Sequence, residues 1–375
     1  METGQGAAAP AVPAELPFEF KGTAGQYFGI WIVNILLTII TLGIYAPWAK
    51  VRTKRYFYGN TLLAGAPFDY LASPLVILKG WAIALAILIV YNIVTGMFPA
   101  TGIVFGILFL IALPWIVVRA MAFRARNSAY RNIRFSFERA YGEAVRVFVV
   151  NAILIPLTLG LAYPYYLYAM NRFLVNNSGY GESPFRFHAR TKDFYKIYAV
   201  AGLLFALMVI VISVAMVPMV QEIAAQAREA MEAGQALPYA DAGGGMDPDL
   251  AQRMMGMQFA VSGVFAIFYL AAFAYIQART GNLVFNAMDV SGHRFRSDLR
   301  ARDLAWLYFS NLLAIVCSFG LAIPWAKIRM ARYRAARLAL LPAAAGLDGF
   351  TQSQQARVSA TGEEMGEVFG IDIGL

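Results

Sequence analysis

The chain has 375 residues, of which 59% are apolar and 14% charged, against roughly 45–50% and about 25% in ordinary soluble chains. Net charge is +9 and mean hydropathy +0.57. These values exclude a disordered or collagen-like chain and argue against a soluble enzyme, because so few charged side chains cannot cover so much apolar surface.

In chain order, the Gly/Ala/Pro-rich residues 1–17 read as a flexible tail and not as a cleavable signal peptide. Seven apolar stretches follow that approach the length of a bilayer crossing, about 20 residues: Gln26–Trp48, Pro74–Met97, Phe98–Val118, Ala144–Met170, Phe194–Val220, Met257–Ala278 and Leu304–Trp325. Between the fifth and sixth lies a long loop, 221–256, with six acids against two arginines. Residues 342–375 read as a second flexible tail.

Self-similarity organises the rest. Phe18, Phe135 and Phe295 fall in one register with Asn34, Asn151 and Asn311, with Gly43, Gly160 and Gly320, with Pro47, Pro164 and Pro324, and with Arg55, Arg172 and Arg332. The first and second copies also share Pro67-Phe68 and Pro184-Phe185. The expected fold is an all-α polytopic membrane protein. Its seven apolar helical segments form three repeat units (A, two helices, B, two helices, C), with short Phe-x-Phe strand-like pieces at the membrane surface. The expected boundaries are unit A 18–73, a helix pair 74–118, unit B 119–193, a helix pair 194–278 carrying the acidic loop, and unit C 279–341. Within unit A, Thr23 with Gln26 reads as a capping box. Gly43 and Pro47 end the apolar helix, and a basic-aromatic helix then begins at Trp48.

The Phe18-x-Phe20-x-Gly22 start, Thr41-Leu42-Gly43-Ile44-Tyr45 and Pro47-Trp48-Ala49-Lys50 resemble the YjgN family of bacterial inner-membrane proteins, over about Phe18 to Leu341. The resemblance implies a multi-pass protein of the bacterial inner membrane. It implies no catalytic residues, because the family is known chiefly as a domain of unknown function. Unit B departs from it, with Tyr165-Tyr166-Leu167 where the other units have Trp-Ala-Lys.

Two topologies compete. If all seven stretches cross with the N-terminus outside, the outer face carries 11 of 31 basic residues. If each unit enters and leaves on the cytoplasmic side, four stretches cross and only Arg228 and Arg253 lie outside, with loop 221–256 periplasmic. The positive-inside rule favours the second scheme. The helix break in unit A lies near the end of its apolar stretch, where a re-entrant apex would draw Lys50 and Arg52 toward hydrocarbon. Units lying shallow at the interface are a third arrangement.

Asn34, Asn151 and Asn311 are candidates for helix packing by interhelical hydrogen bonds or for a shared polar path. Trp48, Lys50, Arg52, Arg55, Trp325, Lys327, Arg329 and Arg332 are candidate contacts for an anionic lipid, because basic and aromatic side chains together suit a headgroup phosphate. Gly102 and Gly106 permit close helix approach, within the monomer or at a homo-oligomer seam. His188, His293 and the single Cys317 show no metal spacing. No cofactor, catalytic residue or nucleic-acid partner is expected, and no carboxylate lies well inside an apolar stretch to couple protons. Two readings follow: transport or permeation of a small solute or lipid, or a non-transporting lipid-interacting or structural membrane protein.

Overall fold

The computed structural model describes residues 15–232 and 248–343. The expected tails 1–17 and 342–375 lie almost wholly outside these residues, although Leu16 and Pro17 already belong to a strand.

Ten short strands close into an antiparallel barrel, which overturns the all-α expectation. They are β1 (Leu16–Phe20), β2 (Thr61–Leu63), β3 (Ala66–Tyr70), β4 (Ser128–Tyr130), β5 (Ile133–Phe137), β6 (Ser178–Tyr180), β7 (Ser183–Phe187), β8 (Met288–Val290), β9 (His293–Ser297) and β10 (Leu338–Leu341). Successive strands pair, β2–β3, β4–β5, β6–β7 and β8–β9 as hairpins and the others across helical excursions, and β10 pairs with β1, Leu16 opposite Leu340, so the two ends of the described chain close the ring. The turns at Ala64-Gly65, Arg131-Asn132 and Ser291-Gly292 have positive φ at both central residues, the geometry that matches strand twist in a two-residue hairpin. The Phe-x-Phe stretches are therefore not isolated surface pieces. Phe135-Ser136-Phe137 is the second strand of the β4–β5 hairpin, and Phe18-Glu19-Phe20 lies in β1, which closes the ring between β10 and β2.

The alternation within these strands decides which way they face. Leu63, Tyr130, Tyr180, Val290 and Leu340, one from each of the four hairpins and one from the closing β10–β1 pair, are buried together. Phe18, Phe68, Phe135, Phe185 and Phe295 pack against them, in the same distribution. Phe68 meets the Tyr130 ring at 4.7 Å and Phe135 the Tyr180 ring at 5.2 Å. The hydroxyl of Tyr130 donates to the Leu63 carbonyl at 2.6 Å, and that of Tyr180 to the Tyr130 carbonyl at 2.9 Å. Burial pushes both phenol pKa values up, and that of Tyr180 furthest. The barrel is filled by side chains and is not a pore.

Tight turns occupy one end of the barrel, so every helical excursion leaves and returns at the other. Its mouth is stitched by one backbone bond per excursion: Lys21 to Asn60, Leu71 to Asn127, Glu138 to Asn177, His188 to Ala287 and Asp298 to Arg337, each N–H to carbonyl. The repeat is accordingly fivefold, not threefold, with one helix pair after each second strand. Three pairs are short: α1 (Ala24–Ile40) with α2 (Ala46–Gly59); α5 (Tyr141–Val145), continued through a π-helical stretch into α6 (Asn151–Leu157), with α7 (Tyr163–Asn176); and α10 (Ala301–Cys317) with α11 (Ile323–Ala336). Two are long: α3 (Pro74–Met97) with α4 (Thr101–Arg126), and α8 (Thr191–Glu232) with α9 (Pro248–Asn286).

Among the described residues, four helices, those of the long pairs, are long and apolar enough to cross a membrane. The seven expected segments are reduced to these four because three of them, Gln26–Trp48, Ala144–Met170 and Leu304–Trp325, each contain a chain reversal. At that reversal Thr41, Thr158 or Ser318 accepts from the backbone N–H four residues on. The following pair of residues is left-handed, Leu42-Gly43, Leu159-Gly160 and Phe319-Gly320. Glycine holds its φ of about 90° without a Cβ clash. The proline four residues after the glycine then opens the second helix, where its missing N–H costs no hydrogen bond. α1 and α2 run antiparallel: Tyr27 stacks on Tyr56 at 5.5 Å near the barrel, while Asn34 meets Ala49 further out.

The molecule divides into two compact units. The first holds the barrel, α1–α7, α11 and the end of α10 from Ser310; the second holds Tyr195–Arg279 and Arg300–Phe309. Of the acidic segment 221–256, α8 takes up the first part to Glu232 and α9 begins at Pro248.

Candidate functional site

Lys50 and Lys327 occupy the same repeat position in the first and last short pairs. Closure of the barrel brings α1 against α11, and with them these two lysines into one open cleft of about 500 Å³. Its lining includes Tyr27, Trp31, Asn34, Ile35 and Ile39 of α1, Lys50, Thr53 and Lys54 of α2, and Lys327 of α11. Lys50 and Lys54 share a helix face by their four-residue spacing. No carboxylate is among the lining residues.

Aromatic rings hold the ammonium groups. Lys54 Nζ lies 4.6 Å from the Tyr70 ring centre and donates to its hydroxyl at 3.3 Å. Lys50 lies over Trp81 at 5.9 Å and Lys327 over Tyr27 at 6.0 Å. Burial, and then the neighbouring charges of Arg124 and Lys50, lower the pKa of Lys54. An anion in the cleft would reverse the charge part of that effect. Asn34 is buried in the wall. Its amide donates to the Ala49 carbonyl at 3.3 Å and to Thr53 Oγ1 at 3.5 Å, while its Oδ1 has no partner among the described residues. Ile35 and Ile39 continue the cleft toward the reversal at Leu42 with apolar surface. The cleft thus offers fixed positive charge beside an apolar wall.

The other expected residues separate into distinct roles. Arg55 donates to the carbonyls of Tyr70 and Ala72 at 3.3 Å, and Arg332 to that of Gly22 at 3.1 Å. Both clamp the exit of a barrel strand. Arg329 donates to Ser310 Oγ at 2.6 Å and to Asn311 Oδ1 at 3.3 Å, with its guanidinium over Trp325 at 5.1 Å. Arg52 is exposed, and Trp48 stacks on Tyr45 at 6.1 Å. Asn311 donates to Ala326 at 3.5 Å, the counterpart of the Asn34–Ala49 bond, and Asn151 is buried on α6. The three asparagines belong to three separate helix pairs, and of them Asn34 alone lines the cleft. Gly102 faces α3, where an added Cβ would lie 3.8 Å from Thr95; at Gly106 nothing lies within 4 Å. Sequence reasoning left Tyr27 and Trp31 out of the candidates, whereas Lys54 belongs to the same basic run as Lys50 and, four residues on, shares its helix face.

The family description "Bacterial protein of unknown function (DUF898)" matches residues 15–368, the span that holds the barrel and every helix pair. The chain belongs to the DUF898 family. It is 25% identical over 351 residues, 82% of this chain and 84% of the relative, to "Inner membrane protein YjgN" of Salmonella typhimurium. Over 121 residues, 32% of this chain and 30% of the relative, it is 36% identical to "Inner membrane protein YjgN" of Escherichia coli K12. No solved structure matches the chain. With its four apolar helices, this DUF898 member is a multi-pass protein of the inner membrane.

Proposed function

We propose that this DUF898 protein is a non-catalytic, lipid-interacting membrane protein whose α1–α2–α11 cleft binds an anionic lipid headgroup. The observation that carries the reading is the convergence of Lys50, Lys54 and Lys327 on one cleft with an apolar wall. An amphiphile matches both halves: its phosphate meets the ammonium groups, and an acyl chain follows Ile35 and Ile39. The transport reading would need a polar passage. The barrel interior is filled by aromatic and aliphatic side chains, and of the three asparagines only Asn34 lines the cleft.

The test uses the full chain in bilayer discs of mixed phosphatidylethanolamine and phosphatidylglycerol, with retained lipid read by native mass spectrometry. The wild type should hold phosphatidylglycerol above its bulk fraction. Changing Lys50, Lys54 and Lys327 together to Gln should remove that enrichment, about tenfold for a loss of roughly 1.4 kcal/mol. A charge-matched control changing Arg139, Arg186 and Lys192 to Gln should keep it. Equal retention in both variants would overturn the proposal.

A further inference from the structure

The three short helix pairs end in tips of one design. At each, a large apolar residue stands almost fully in the open at the far end of its pair from the barrel: Leu42 is 94% exposed, Leu159 95% and Phe319 96%. Ile40 and Ile44 flank the first, Leu157 and Leu161 the second, and Leu321 the third, all exposed. Each of the three central residues has a φ of about 50°. Side-chain-bearing residues rarely adopt that region, and glycine or asparagine holds it at lower cost. The chain thus places a bulky apolar side chain, three times over, where the backbone would favour another residue. Backbone strain of this kind marks a position selected for something other than folding.

Two further observations identify what covers the tips. First, the short pairs leave the barrel at the same end as α3 and α4, which are long and apolar enough to cross a membrane, and α2 packs on α3. The tips therefore lie on the side of the barrel from which these two candidate membrane spans extend. Second, aromatic groups begin close behind each tip, joined by basic ones in α2 and α11. In α2 they are Trp48, Lys50 and Arg52, in α11 Trp325, Lys327 and Arg329, and in α7 Tyr163, Tyr165 and Tyr166. At 1.5 Å per residue Lys50 lies about 6 Å, and Arg52 about 9 Å, along α2 from its first residue. These are the depths at which a surface-lying apolar element keeps its charges among headgroups, roughly 5–10 Å.

We infer that Leu42, Leu159 and Phe319 insert into the acyl region of the cytoplasmic leaflet without crossing it. The short pairs are then three shallow anchors on one side of the membrane, and the four long helices are the crossings. Lys50 and Arg52 remain at phosphate level, so neither enters the hydrocarbon centre. The inference stands apart from the headgroup cleft: the tips can be inserted whether or not the lysines select a lipid.

The single cysteine, Cys317, is exposed at the end of α10, two residues before Phe319, and serves as a native probe. In right-side-out and inverted vesicles containing the full chain, a membrane-impermeant maleimide should fail to label Cys317 from either side. A bimane attached there should be quenched more strongly by 5-doxyl than by 12-doxyl phosphatidylcholine. Leu42→Cys and Leu159→Cys, each on a Cys317→Ala background, should behave alike. Labelling from the periplasmic side would mean that the pairs cross; labelling from the cytoplasmic side would leave the tips in water. Stronger quenching by the deeper label would mean full insertion, and protection without quenching would mean that another protein covers them. Each of these four results overturns the inference.

Discussion

The guanidinium of Arg332 donates to the carbonyl of Gly22 at 3.1 Å, across 310 residues of sequence. One turn of the repeat later Arg55 does the same to Ala72. In the fourth excursion Asn282 stands in for the arginine and donates to Leu299 at 2.8 Å. All three clamp the second residue after a barrel strand. A clamp of this kind is a fold element, although Arg55 and Arg332 read as lipid contacts in the sequence. Arg332→Ala should lower stability by about 1.5–3 kcal/mol, the range for a hydrogen bond from a charged donor. Thermal unfolding in detergent measures this. Lipid enrichment should be unchanged.

Inside the barrel, the Tyr130 hydroxyl bonds to the Leu63 carbonyl in a buried setting. Tyr130→Phe keeps the ring against Phe68 and removes the hydroxyl's hydrogen bonds, to the Leu63 carbonyl and with Arg131. Its expected cost is about 1 kcal/mol, again as a fall in the thermal midpoint with the same far-ultraviolet spectrum.

Asn34 and Asn311 hold the same repeat position with different surroundings. Asn34 Oδ1 has no partner among the described residues, whereas Asn311 Oδ1 accepts from Arg329. Asn34→Leu removes two long hydrogen bonds, to Ala49 and Thr53, together with an unsatisfied acceptor, so it should change stability by less than about 1 kcal/mol. Asn311→Leu takes a partner from an arginine and should cost more, about 1–3 kcal/mol. Equal losses at the two sites would contradict this assignment.

His293 is buried on β9, and its Nδ1 accepts from the Ala343 N–H at 3.1 Å. Burial lowers its pKa below the ordinary 6.5. The unfolded chain therefore binds this proton more readily than the folded one. Its share of stability is complete above about pH 6.5 and is lost as pH falls below that value toward the folded pKa. Unfolding midpoints taken from pH 7.5 to 5 should drop for the wild type, and His293→Gln should reduce the slope.

Much of this architecture is visible in the sequence in pieces. The register of Phe18, Phe135 and Phe295 with Gly43, Gly160 and Gly320 marks real equivalences, and the three reversals share one backbone path. The match of Pro67-Phe68 with Pro184-Phe185 was the remaining clue, since Phe68 and Phe185 belong to the same ring of five. The closed barrel escaped detection because its strands are three to five residues long, too short for a period-two pattern to stand out. Their partners also lie far away in sequence, Leu16 opposite Leu340 at the extreme. The α3–α4 pair further disguises the fivefold repeat, because its turn has no left-handed glycine of the kind that marks the short pairs. The cleft was half legible: the lysines were evident, but their meeting depends on closure of a ring that no local pattern encodes.

Both the headgroup cleft and the shallow tips require the barrel to lie on the cytoplasmic side, with loop 221–256 on the other. The turn at Arg131-Asn132 lies at the barrel end opposite the helical excursions. The most direct measurement places single cysteines, Asn132→Cys and Ala242→Cys, on a Cys317→Ala background and labels intact cells with an impermeant maleimide. Position 132 should be protected until the inner membrane is opened, while position 242 should label at once. Labelling of position 132 in intact cells would contradict the account.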